Sequence, residues 1–106
     1  MKFCMIEVAF DNREELEKVV KILLNKHLVS SCQVVESKST WNYKGERESS
    51  KEYLLFLKTR KDLQEKIYQE IRLIHSYECF EFAVFPFISC STSYLEWLED
   101  ETKEEV

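Results

Sequence analysis

Residues 31–57 read SCQVVESKSTWNYKGERESSKEYLLFL, and the period of this stretch decides the fold. From Ser31 to Tyr43 the side chains alternate. Val35, Ser37, Ser39, Trp41 and Tyr43 fall on one face of an extended strand, with Glu36, Lys38 and Asn42 on the other. Lys44-Gly45 then supplies a turn, because Gly takes a positive φ without strain. A second strand returns through the polar residues 46–52 into Tyr53-Leu54-Leu55-Phe56-Leu57, which is wholly apolar. The apolar half belongs inside a sheet and the polar half projects from it. A strand of about a dozen residues reaches roughly 40 Å, about twice the usual length. The hairpin is therefore expected to overshoot its own sheet as an arm.

Working outward, Phe3 to Phe10 is apolar except for Glu7 and suits a central strand buried on both faces. Asn12 with Glu15 has the pattern of a capping box. Leu16, Val19, Val20, Leu23 and Leu24 follow at helical spacing. Beyond the hairpin, Thr59-x-x-Asp62 is a second capping-box pattern, and Leu63, Ile67, Ile71 and Ile74 form the stripe of a second helix. Residues 80–88 read as a fourth strand, with Phe80, Phe82, Val84 and Ile88 on one face and Phe85 and Phe87 on the other. Pro86 lacks an amide donor and predicts an edge or a bulge. Ser93-x-x-Glu96 opens a short terminal helix carrying Tyr94, Leu95, Trp97 and Leu98.

Strand, helix, strand, strand, helix, strand is the split βαβ arrangement, an α+β, ferredoxin-like sandwich. Both main helices then lie on one face of a four-stranded antiparallel sheet. The aromatics of the other face need cover, and the arm needs a neighbour. An oligomer meets both needs; the alternative is a hairpin bent over its own sheet.

The 106 residues fit one domain. A 44% hydrophobic content excludes a disordered chain. The net charge of -5 argues against a nucleic-acid partner, whose phosphates call for a basic face. The acidic excess gathers at residues 99–106, expected to be a solvated, frayed tail. No apolar run approaches the roughly 18 residues of a membrane span, and residues 1–6 carry no secretory pattern. Cys4, Cys32, Cys79 and Cys90 form no C-x-x-C pair and read as reduced thiols, with a cytoplasmic setting expected.

Five ordered segments resemble the CutA family of divalent-cation tolerance proteins. Ser31-Cys32-Gln33-Val34-Val35 is similar to its small-small-Cys opening of strand two, and Ser39-Thr40-Trp41-Asn42-Tyr43-Lys44-Gly45-Glu46 to its aromatic hairpin tip. Leu57-Lys58-Thr59-Arg60 resembles its exit from strand three, and Tyr94-Leu95-Glu96-Trp97 its terminal helix. His75-x-Tyr77-Glu78-x-x-Glu81 resembles its H-P-Y-E-x-P-E loop, with Ser76 and Phe80 in place of the two prolines. Cys90-Ser91-Thr92 stands where that family usually has Gly-Asn-Pro. The resemblance implies ferredoxin-like protomers, a homotrimer, a cytoplasmic setting and a role in tolerance of copper and other divalent metals.

His75, Tyr77, Glu78 and Glu81 form the one dense polar cluster that contains an imidazole. Imidazole with carboxylate oxygen suits Cu(II), Zn(II) or Ni(II). The plainer reading places His75 at the end of helix two, facing its dipole. His75 and Glu78 are the candidate metal ligands, with Cys32 a third through its thiol; Cys32 equally suits simple packing. Trp41, Tyr43, Tyr77, Glu81 and Trp97 are candidates for an inter-subunit cleft or interface. His27 reads as a surface residue. The sequence carries no Gly-rich phosphate loop, G-x-S-x-G or H-E-x-x-H, and an enzyme is not expected. No obligatory cofactor is implied, Cu(II) or another divalent cation being the ligand in view. The alternative is a trimeric sensor or adaptor of the PII type, binding a metabolite or a partner protein between subunits.

Overall fold

The nearly unbroken apolar run at the start of the chain becomes the centre of the sheet. The computed structural model describes residues 2–103. It runs β1 (Phe3–Phe10), α1 (Arg13–Asn25), β2 (Ser31–Tyr43), β3 (Glu46–Arg60), a 3₁₀ turn (Lys61–Leu63), α2 (Gln64–Arg72), β4 (Phe82–Pro86) and α3 (Thr92–Glu101). The strands form one antiparallel sheet in the order β2-β3-β1-β4. This is the ferredoxin-like order expected from the sequence.

Strand alternation sorts the core. Cys4, Ile6, Val8 and Phe10 of β1 and Leu55 and Leu57 of β3 pack against Leu16, Val19 and Leu23 of α1 and Ile67 and Ile71 of α2. The opposite parity places Met5, Glu7, Leu54, Phe56 and Phe85 on the other face of the sheet. There Val35 and Phe85 stay about half exposed. The terminal helix α3 sits at the Phe3–Arg60 end, where Leu98 is fully buried and the Arg60 guanidinium donates to the Thr102 carbonyl at 3.1 Å.

The arm is present as expected. Residues 36–43 pair only with residues 46–53, and Tyr53 is the first residue of β3 to reach β1. The molecule measures 47 × 28 × 21 Å. The two turn residues both adopt left-handed backbone, Lys44 at φ 49° and Gly45 at φ 83°. That is the twist a two-residue hairpin turn requires.

Several local expectations need correction. Asn12 does cap α1, its Oδ1 accepting the Glu15 amide at 3.0 Å. The Glu15 carboxylate, however, turns to the amide and hydroxyl of Ser76, at 3.2 and 3.1 Å. Thr59 is not a cap. It stays in β3 with its hydroxyl donating to the Leu28 carbonyl at 2.6 Å, and α2 begins through the 3₁₀ turn with no side-chain cap. Ser93 lies inside α3, which starts one residue after Ser91. The fourth strand is shorter than residues 80–88: β4 covers Phe82–Pro86 on a sheet edge, where Pro86 has no amide to donate, and Ile88 is 95% exposed. Residues 99–102 are not frayed either. The helix runs through Glu101, Glu99 is ion-paired with Lys2, and Thr102 is buried. Glu104, Glu105 and Val106 lie outside the described residues. His27 is half-buried, its Nδ1 3.2 Å from the Glu101 carbonyl, so it contacts the terminal helix and is no free surface group.

Candidate functional site

The loop of residues 73–81 crosses from α2 to β4 and holds the polar cluster. His75 lies beyond the end of α2, which closes at Arg72. Its ring is sandwiched between Phe10, at 4.2 Å and 9°, and Phe80, at 4.8 Å and 18°. Nε2 lies 2.7 Å from the Ala9 carbonyl oxygen, and Nδ1 accepts the Tyr77 amide at 3.2 Å. A carbonyl can only accept, so the proton sits on Nε2 and the imidazole is neutral. Both ring nitrogens are engaged and the residue is 7% exposed.

Tyr77 carries the cluster outward. Its hydroxyl donates to Glu52 at 3.0 Å, and burial together with that carboxylate pushes the phenol above its ordinary value. Glu52 is buried at the root of the arm. Glu7, the single charge in β1, lies opposite Ala83, and Glu81 two residues earlier is its diagonal neighbour on the same face. Partial burial raises the Glu81 carboxyl, the Glu7 charge adding to the effect and Glu52 after it. Glu78 and Cys79 are exposed on the same loop.

Cys32 is elsewhere. It sits on edge strand β2 opposite Leu57, which pairs with Ile6, and packs against the core. Two strand spacings and three residues along β1 separate that position from the Ala9 carbonyl, about 10 Å in each direction. Burial pushes the Cys32 thiol up to about 11, Lys58 offsetting part of the effect, so it is not a thiolate near neutrality. Cys32, His75 and Glu78 are thus not brought together. Among the described residues no group of three or more His, Cys, Asp or Glu side chains is placed to hold a metal ion.

The interface candidates also separate. Trp41 and Tyr43 are exposed toward the arm tip, Tyr43 beneath the Lys44 ammonium at 5.3 Å. Trp97 is exposed on α3 beside Tyr94. Tyr77 and Glu81 alone share a neighbourhood, with Glu52 and Glu7. The sequence reading had not singled out those last two for function. The signal for Glu7 was its isolation within an apolar strand, and for Glu52 its place at the boundary of the polar and apolar halves of β3.

A four-stranded ferredoxin-like sheet, an arm projecting from it and an aromatic–carboxyl loop define a small α+β domain. A family model described as CutA1 divalent ion tolerance protein matches residues 4–101. The chain belongs to this family. It is 32% identical over 100 residues to the divalent-cation tolerance protein CutA of Pyrococcus horikoshii, covering 94% of this chain and 98% of that one. It is 29% identical to the chloroplastic protein CutA of Arabidopsis thaliana, over 93% of this chain and 55% of that longer protein. The crystal structure of CutA1 from Pyrococcus horikoshii superposes with a TM-score of 0.88 at 31% identity, covering 95% of this chain and 99% of that chain. The family name describes tolerance of ions rather than a catalysed reaction. Because the Arabidopsis relative is named for the chloroplast, membership does not fix the expected cytoplasmic setting. Among the described residues no helix is long and apolar enough to cross a membrane.

Proposed function

We propose that this chain works as a homotrimer in the cytoplasmic response to divalent cations, copper among them, and that it contacts the ion weakly rather than enclosing it. The family match over residues 4–101 carries this reading. The half-exposed sheet face and the unaccompanied arm support the assembly, since both gain cover from neighbouring copies. Weak contact follows from the separation of the candidate ligands. Glu78 is open to solvent and offers a carboxylate. His75 can offer Nδ1 only if the Tyr77 amide releases it, and Cys32 only if its thiol gives up a proton.

The test is melting temperature with Cu(II), Zn(II) and a panel of nucleotides and amino acids added separately, with sedimentation to give the mass. A ligand that prefers the folded state raises the melting temperature by mass action. Copper is expected to raise it in a Glu78-dependent way, and Glu78→Gln to remove most of the shift. A response to a nucleotide or an amino acid alone replaces this reading with the PII-type sensor. Cys32→Ala serves as the control for copper-driven thiol oxidation.

A further inference from the structure

We propose that Glu7 and Glu81 make the covering of this sheet face proton-linked, a second copy of the chain docking more tightly as the pair takes up a proton. The inference rests on the homotrimer reading and adds to it a dependence on acidity.

The two carboxyl groups are set together by register. Glu7 pairs with Ala83 across β1 and β4, and residue 81 continues the same face. Their surroundings on that face are apolar by parity: Met5 and Ala9 of β1, Leu54 and Phe56 of β3, and Phe85 of β4. The charged groups contributed by each neighbouring element are mostly of the same sign. From β3 comes Glu52, and from the loop comes Tyr77, on which Asp11 before α1 and Glu15 in its first turn also act. The cations on this face are Lys58, opposite Met5, whose ammonium donates to Gln33 Oε1 at 2.6 Å, and Arg60, opposite Phe3, which is taken up by the Thr102 carbonyl at 3.1 Å and Asp62 at 3.4 Å. Lys51 is paired with Glu36 at 3.4 Å. Glu52 accepts the Tyr77 hydroxyl at 3.0 Å.

In the single protomer water still reaches Glu81, which is exposed. A second copy laid over the face removes that water. Two carboxylates held together in a low-dielectric setting cannot both remain charged, and one binds a proton. The upward displacement of the Glu81 carboxyl in the protomer has the same direction. The covered pair binds more protons than the open one, so association strengthens as pH falls. The linkage amounts to about tenfold in the association constant per pH unit for each proton taken up.

The experiment is sedimentation of the full chain from about pH 5 to about pH 8, in guanidinium chloride sufficient to dissociate the assembly, for wild type and for Glu7→Gln with Glu81→Gln. The wild-type dissociation constant should rise at least about tenfold from the acid to the alkaline end of that range. The double variant, which mimics the protonated pair, should be flat and sit near the low-pH wild-type value. A wild-type assembly indifferent to pH, or a variant with an unchanged slope, overturns the proton linkage and leaves the homotrimer standing. A monomer at every pH without guanidinium chloride overturns both. Should the variant fail to fold, carboxyl-carbon NMR titration of wild type decides: a Glu81 that titrates at its ordinary value in the assembled protein overturns the proposal.

Discussion

The imidazole of His75 lies flat on the ring of Phe10, with centroids 4.2 Å apart and planes 9° apart. Together with the Nε2 bond to the Ala9 carbonyl, this makes His75 the pin that holds the α2–β4 loop to β1. His75→Ala opens a cavity between Phe10 and Phe80 and leaves that carbonyl unpaired. It should cost about 2–4 kcal/mol in urea unfolding. His75→Phe restores the stack without the hydrogen bond and should recover part of the loss. Equal stability for wild type and the alanine variant would show the ring to be ornamental.

Thr59 tests a second buried polar contact. Its hydroxyl, fully buried, donates to the Leu28 carbonyl at 2.6 Å. Thr59→Val keeps the shape and removes the donor, and should cost about 1–3 kcal/mol. Thr59→Ser keeps the bond and should cost less. A valine variant as stable as the serine variant contradicts this assignment.

The arm turn carries stored backbone cost at Lys44, a branchless but non-glycine residue at φ 49°. Asn and Gly tolerate that region better. Lys44→Asn should stabilise the protein by about 0.5–1 kcal/mol, and Gly45→Ala should destabilise it by about 1 kcal/mol. Open space surrounds Gly45, so the second effect is one of backbone and not of clash. Thermal unfolding of the two variants should move in opposite directions.

Cys32 should resist alkylation near neutral pH while Cys79, exposed on the loop, reacts. Iodoacetamide labelling followed by peptide mass mapping reads the difference. The thiol also has a stability consequence. The folded state keeps its proton up to about 11, against an ordinary value of 9.0. Between those values the folded chain binds more protons than the unfolded one, so stability should decline as pH rises through this window. Cys32→Ser, compared with wild type at the two ends of the window, should lose that part of the slope.

The protomer was legible because its signals were local and repeated. The stripe of α1, the alternation of β2 and the Lys44-Gly45 turn each fix an element from neighbouring residues alone. Thr59 misled because a Thr three residues before an Asp looks like a cap whether or not its hydroxyl finds a distant carbonyl. The site was harder to read for a related reason. His75 looked like a ligand by residue type, whereas its two nitrogens are consumed by Ala9 and Tyr77, contacts 66 and 2 residues away in sequence. Glu7 and Glu81 meet only through the register of β1 and β4, which no spacing along the chain reveals.

The sheet order has one more consequence. With β2 at one margin and β4 at the other, its two free edges are unlike, so copies joined edge to edge through β2 and β4 do so head to tail. Head-to-tail contacts close into a ring when the rotation between copies allows it and otherwise run on as a filament. Three features bear on that choice. Pro86 ends the β4 edge after five residues, while Lys38 studs the longer β2 edge and the arm leaves its own sheet. Short edges and edge lysines are devices that discourage open-ended strand stacking. The features that leave the arm and the sheet margins uncovered thus also guard the chain against a growing fibre.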